Sequence, residues 1–367
     1  MRNIGGVKLL VLALLLPLRA WAGDGPYVMR EAGRLEVWSV VDEAEGPRKV
    51  VSAPSQEARV TIPAVGEVPA FQVTIRPASP LAPDVAKSRK SAPVYVVADT
   101  HGEYQILAAM LMKHGVIDAA LRWSFGNGQL VVLGDVFDRG AHQTEILWLL
   151  YELEAQARKQ GGALHFVLGN HELMVMGGDL RYLNPKYRTT AAVLGVASYT
   201  QLFGPESVLG QWLRTRAAVL KLNDLLFLHG GISPRLVDLG ITQPQINASI
   251  RAVMTQASLA GGAERERAAL LLGEDGPLWY RGYFADTAGD ATPLADIRRM
   301  LAHFGVSRIL VGHTRVPTIT SLYDGRVIAV QVYPRHTGSG AVEFETLLIR
   351  GGVFYRARPD GSTERLL

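Results

Sequence analysis

The sequence predicts a mixed α/β fold, central β-sheets flanked by helices, with a small β-rich module in front. From Val94 onward short apolar strands alternate with helical stretches, while before Pro77 the segments are β-branched or alternating, with Gly and Pro between them. Five apolar strands of the later region each end in a polar loop that carries glycine. The chain has 367 residues, 48% hydrophobic and 20% charged, which is ample for a large core. It has no Cys, so disulfides and thiolate metal ligands are excluded.

Residues 1–22 fit a secretory signal peptide. They combine a basic start, an apolar run from Leu9 to Leu16 and the small-x-small Ala20-Trp21-Ala22. The apolar run is shorter than the roughly 20 residues that span a bilayer. The expectation is therefore cleavage before Gly23, a secreted or periplasmic location and no transmembrane segment. Arg2, Lys8 and Arg19 account for three of the 38 basic residues; without them 35 face 34 acidic ones, and no block of like charge follows. A nucleic-acid scaffold is not expected as a partner.

Residues 23–76 read as the β-rich module, with strands expected in RLEVWSVV (34–41), EARVTIPA (57–64) and AFQVTIRP (70–77). The tract 77–93 is rich in Pro, Ala and Ser, has no periodic apolar face and reads as a linker. Residues 94–367 form the main domain. VYVVAD (94–99), QLVVLGD (129–135) and ALHFVLGN (163–170) read as strands, and GEYQILAAMLMKHG (102–115) and TEILWLLYELEAQARK (144–159) as helices. Hairpins are expected around Asn223-Asp224 and Asp324-Gly325. The stretches 175–217 and 243–305 look mainly helical or irregular.

The polar interruptions are ADTHGE (98–103), GDVFDRG (134–140), GNHE (169–172), LHGGIS (228–233) and GHT (312–314). Ligands of α/β sheets bind beyond strand ends, so these loops can converge. They supply Asp99, His101, Asp135, Asn170, His229 and His313, a carboxylate, amide and imidazole set sufficient for two divalent ions. Taken singly, Asp-x-His is an ordinary turn and Gly-Asn-His-Glu an ordinary helix start, with Asn as cap and Glu in the first turn. Five such loops together are poorly explained by chance.

In this order the loops resemble those of the calcineurin-like metallophosphoesterases. Asp99-Thr-His101-Gly, Gly134-Asp-x-x-Asp-Arg-Gly140 and Gly169-Asn-His-Glu172 are similar to the three blocks of the phosphoprotein phosphatases, in particular the bacterial Shewanella-like branch. Ala98 stands where the family usually has Gly, and Gln331 where many relatives have Asp. The resemblance implies two metal ions (Mn, Zn, Fe, Co or Mg), with Asp135 bridging them. Asp99 and His101 would complete one site, and Asn170, His229 and His313 the other. It implies direct attack by a bridging hydroxide, with His171, oriented by Asp138 and pointing away from the ligands, protonating the leaving oxygen. Arg139, Asn170 and Arg281 would contact the phosphate, and Arg315 is a weaker candidate. The implied substrate is a phosphorylated protein, peptide or small phosphoester, with phosphotyrosine favoured by the Shewanella-like branch. A nucleotide, dinucleoside polyphosphate or phosphodiester hydrolase on the same centre is the alternative; a binding module with a structural metal has no need of His171 and Asp138. His114 and His303 read as structural, His142 and His165 as neighbours of the motifs, and His336 as a substitute for what Gln331 lacks.

Overall fold

The computed structural model describes residues 23–55, 57–77, 80–256, 261–284 and 291–367; the leader expected over residues 1–22 lies outside them. Strands β1 (Asp24–Glu31), β2 (Arg34–Glu43) and β3 (Gly46–Ser52) form an antiparallel meander, and β4 (Arg59–Ile62) and β5 (Phe71–Thr74) a hairpin. The sequence pattern does not announce β1, because Gly25-Pro26 interrupts it; the β1–β2 register shifts there, between Asp24 and Tyr27. Yet β1 is the buried strand of the meander, with Tyr27 and Val28 each 1% exposed.

The β-rich module packs directly on the main domain. The Trp148 indole donates to Pro26 O (2.8 Å), the Arg76 amide to the Tyr151 hydroxyl (2.9 Å) and the Thr74 amide to Glu152 Oε2 (3.0 Å). Helix α1 (Tyr104–Lys113) precedes α2 (Gln143–Lys159), and this packing explains why α2 is buried almost all round its first half instead of along one stripe. The tract 77–93, expected as a linker, is also tied down. It carries a short strand, β6 (Val85–Ala86), which pairs in parallel with β10 (Val219–Leu222), and Arg251 holds Asp84 at 2.6 Å.

Among the described residues two six-stranded sheets share one continuous core. In the first, β7 (Val94–Val97), β8 (Gln129–Val132) and β9 (Ala163–Phe166) run parallel. In the second, β10 turns through Asn223-Asp224 into β11 (Leu225–Leu228), which runs parallel to β12 (Arg308–Val311). All four residues of β7, β8 and β11 are buried, which is why they read as unbroken apolar runs without alternation. Strands β13 (Thr320–Leu322) and β14 (Val327–Ala329) close that sheet's other side. Their turn is longer than the two residues expected: the last pair is Leu222–Leu225 in the first hairpin but Leu322–Val327 here, leaving a four-residue loop in which Tyr323, Asp324 and Gly325 all have positive φ.

A small hairpin, β15 (Arg335–His336) with β16 (Val342–Glu343), precedes β17 (Thr346–Arg350), β18 (Val353–Ala357) and β19 (Thr363–Arg365), which extend the first sheet from β7. The stretches expected to be helical or irregular carry helices at Pro185–Leu194, Val208–Arg214, Gln243–Met254, Gly262–Leu272 and Leu294–Phe304. Among the described residues no helix is long and apolar enough to cross a membrane.

Candidate metal centre

Every polar loop leaves the carboxyl end of a buried strand: Asp99 and His101 after β7, Asp135 after β8, Asn170 after β9, His229 after β11 and His313 after β12. Six candidate site residues adopt left-handed backbone: Asp99 (φ 48°), His101 (43°), Asp135 (55°), Asp138 (70°), Arg139 (67°) and His313 (62°). Such a conformation costs a non-glycine residue about 1–3 kcal/mol and persists where surroundings over-determine it, typically at functional sites. The loops also touch through backbone. A Cβ on Gly134 (φ 78°) would lie 2.2 Å from Gly169 N, and one on Gly140 2.3 Å from His101 O, so no side chain fits at either place.

Asp135 is the hub. Its Oδ2 lies 3.2 Å from His229 Nε2 and 3.8 Å from both His101 Nε2 and His171 Nε2. His101 Nδ1 faces Phe137 O (2.9 Å) and His229 Nδ1 faces Leu133 O (2.6 Å). A carbonyl only accepts, so each of these rings carries a proton on Nδ1 and turns Nε2 inward, the arrangement of a metal-ligating histidine. His229 Nε2 also meets Asn170 Oδ1 (2.8 Å) and His313 Nδ1 (3.1 Å). Lone pairs thus converge from oxygen and nitrogen on two overlapping triplets, His101–Asp135–His171 and Asp135–His229–His313, with Asp135 in both.

The electrostatics fit a cation. Burial alone would raise Asp135, but His229, His171 and His101 hold it well below the carboxylate range. Burial lowers His229, yet Asp135 and Asp99 overcome it and push the imidazole up to about 9. Burial pushes Asp99 up to about 7, with His229 pulling against it and Asp135 adding to it. Burial keeps His101 (about 3) and His313 (about 2) neutral, with lone pairs available. A divalent ion relieves all of these strains at once.

Beside the hub stands a dyad. His171 Nδ1 lies 2.5 Å from Asp138 Oδ2, and Asp138 is fully buried with its other oxygen lacking a partner among the described residues. Burial opposes charge on His171, but Asp135 and Asp138 push its pKa up.

A family model described as Calcineurin-like phosphoesterase matches residues 92–317. The chain belongs to the calcineurin-like phosphoesterases. The crystal structure of a cold-active protein-tyrosine phosphatase from a psychrophilic Shewanella species is 33% identical, superposes with a TM-score of 0.81, and covers 94% of this chain and 100% of its own. Shewanella-like protein phosphatase 2 of Arabidopsis thaliana is 25% identical over 274 residues, 63% of this chain and 68% of that protein. Shewanella-like protein phosphatase 1 of Plasmodium berghei is 24% identical over 236 residues, 61% and 62% of the two. This calcineurin-like phosphoesterase therefore sits in the Shewanella-like branch of the phosphoprotein phosphatases and is a metal-dependent phosphoesterase with a divalent metal centre.

Within that phosphoesterase one site residue lies differently from the sequence expectation. His171 does not point away from the ligands: its Nε2 faces Asp135, because Nδ1 is taken by Asp138. Asp99 accepts from the His313 amide at both oxygens (3.2 Å each), which ties the loop after β7 to the loop after β12, and one atom each of His101, Asp135 and His171 lie close together. Arg281 donates to His313 O (2.9 Å) and Thr314 Oγ1 (3.1 Å), which sets its guanidinium beside the centre. Arg139 is exposed, with its guanidinium over the rings of Tyr182 (5.6 Å) and Tyr333 (6.0 Å); Arg315 also reaches Tyr333 (5.7 Å).

Sequence reasoning missed the role of Glu172. It is more than a first-turn acid. Its Oε2 accepts from the amides of Gly169 (2.7 Å) and Asp135 (2.8 Å), and Oε1 from Val136 (2.8 Å), so one buried carboxylate clamps two ligand loops together. The available signal was its third place in a helix directly after the loop, from which a Glu reaches back.

The remaining histidines are structural or distant. His114 meets Arg358 O, His303 meets Ile241 O, His165 meets Gln129 Oε1 and His142 meets Glu145 Oε1. His336 is exposed on β15 and does not join the cluster; Gln331 is buried, its Oε1 unpartnered among the described residues. Ala98 is not in the left-handed region, so a side chain is tolerated there.

Proposed function

We propose that this phosphoesterase is a phosphomonoesterase of phosphoproteins or phosphopeptides, with phosphotyrosine as the preferred group. The observation that carries this reading is the aromatic mouth of the site. Tyr182, 47% exposed, lies 5.5 Å ring to ring from His171, Tyr333 lies 5.8 Å from His101, and Arg139 spans the two tyrosines. An aryl ring entering here stacks on a phenol while its phosphate reaches the centre. The name of the Shewanella relative, a protein-tyrosine phosphatase, supports the same choice.

Asp99, His101, Asp135, Asn170, His229 and His313 would hold two divalent ions, of Mn, Zn, Fe, Co or Mg type. Bound side by side, such ions lower the pKa of a water and stabilise charge on the transferring phosphoryl group. The chain's own groups do the rest. Arg139, and Arg281 beside His313, offer planar forks to the phosphate oxygens. Asp138 fixes the His171 ring through Nδ1, so its Nε2 proton is the one delivered to the leaving oxygen. A phosphotyrosyl peptide should turn over at least about tenfold better by kcat/KM than its phosphoseryl twin. Tyr182→Ala should erase roughly two- to tenfold of that preference, the worth of one aromatic pair. Preference for phosphoserine, a nucleotide or a phosphodiester sinks the reading.

We further propose export through the leader at residues 1–22, on its basic start, apolar run and Ala20-Trp21-Ala22. N-terminal sequencing of exported protein should begin at Gly23; retention of Met1 in the cell rules this out.

A further inference from the structure

Behind the His171–Asp138 pair runs a buried polar row that the chemistry above does not use. The Asp138 amide donates to Gln143 Oε1 (2.7 Å), and Gln143 Nε2 donates to the Tyr199 hydroxyl (2.7 Å). The Tyr199 and Tyr27 hydroxyls lie 3.3 Å apart, and Tyr27 donates to Asp24 Oδ2 (2.7 Å). Asp138, Gln143, Tyr199, Tyr27 and Asp24 are all 3% exposed or less. Asp24 and Tyr27 belong to β1, far from Asp138 in sequence.

Counting protons gives the row a direction. Each phenol has one. With that of Tyr27 on Asp24, the Tyr27 oxygen is left to accept from Tyr199 and from the Thr144 hydroxyl, each 3.3 Å away, while the Tyr199 oxygen accepts from the Gln143 nitrogen. Gln143 is thereby held with its carbonyl oxygen toward the Asp138 amide. A second link runs beside the first: Lys186 Nζ, 3.3 Å from Asp24 Oδ1, donates to Ala141 O at 2.8 Å. Asp138 and Arg139 need such support, being consecutive non-glycine residues in left-handed backbone (φ 70° and 67°).

We infer that Asp24 and Tyr27 are positioning residues for the loop from Asp138 to Gln143: through Tyr199 and Gln143 they fix the amide that holds Asp138 against His171. The inference rests on reading His171 as the acid, and it gives the first strand a part in the reaction. Without the Tyr27 hydroxyl, Tyr199 loses a partner that pins its phenol, and the Gln143 side chain anchored on that phenol is held less firmly against the Asp138 amide.

The test is Tyr27→Phe in the metal-loaded full chain, assayed on an aryl phosphate. Loss of one oriented hydrogen bond should lower kcat about tenfold, with KM and metal content unchanged. In a Gln143→Leu background the same substitution should cost less than about twofold, because the row is already cut. Parental kcat in Tyr27→Phe overturns the inference, as does a loss repeated in full on Gln143→Leu or one that appears in KM and metal content. Should Tyr27→Phe fail to fold, Tyr199→Phe cuts the same row without touching β1 and is judged by the same results. His171→Asn separates the two levels: full activity there defeats the acid reading, whereas an inactive His171→Asn beside a parental Tyr27→Phe defeats only the positioning role.

Discussion

Replacing Glu172 distinguishes a helix-start acid from a clamp between ligand loops. Its three short bonds go to the amides of Gly169, Asp135 and Val136. Glu172→Ala strands all three in a buried place; at about 1–3 kcal/mol per unsatisfied group the cost is about 3–9 kcal/mol, comparable with a domain's whole stability. Glu172→Gln is more informative. It keeps the volume and one carbonyl oxygen, but sets an NH2 against at least one amide, for about 1–3 kcal/mol. With its oxygen kept on Gly169 and Asp135 the new NH2 faces the amide of Val136, next to Asp135; turned over, it faces those of Asp135 and Gly169 themselves, so in either orientation a ligand loop is pushed out and metal affinity should fall together with stability. Urea unfolding at fixed metal concentration, with metal content measured on the same samples, reads both. A plain first-turn acid loses at most about 1 kcal/mol on becoming Gln and leaves metal affinity alone. Glu172→Gln within about 0.5 kcal/mol of the parent, with unchanged metal content, refutes the clamp.

Stripping divalent ions should abolish phosphoesterase activity and lower the melting temperature, and a restored ion should recover both, since an ion held by the folded site alone stabilises the folded state; activity that survives exhaustive chelation contradicts the site. His165 should make the fold acid-sensitive. Burial, against the pull of Glu154, lowers it to about 4 from 6.5, so the folded state favours the neutral ring. Its contribution is therefore complete above pH 6.5 and is lost as pH falls toward 4, a total of about 3 kcal/mol. His165→Gln should lose that much less stability than the parent between pH 7 and 4 in urea titrations, and a difference under about 1 kcal/mol counts against it.

Most of the centre was legible because its residues lie where apolar strands stop, and β7, β8 and β11 are buried on every residue, so the stop is abrupt. The fold class was readable for the same reason. What escaped depends on contacts between distant segments. β1 was hidden by Gly25-Pro26, and its burial comes from α2, the helix Val208–Arg214 and the rings of Tyr199 and Phe203, not from its own pattern. The tract 77–93 has no apolar period because its attachment is through backbone pairing at Val85 and Ala86 and the Asp84–Arg251 pair. Glu172 looked like an ordinary first-turn acid because nothing local tells that three amides from two loops meet there. His171 was expected to turn away because a neighbour of a ligand often does; only the position of Asp138 decides its direction.

The brevity of β6 matters beyond the tether it provides. Both sheets end in stubs: β13 and β19 have three residues each, β9 has four and β6 two. A long open border would offer a row of unpaired amides on which another chain could template itself. The two central sheets have only short borders to offer, so neighbouring copies emerging partly folded have little backbone there through which to stitch together; the longer edge, seven-residue β3, lies outside them in the meander.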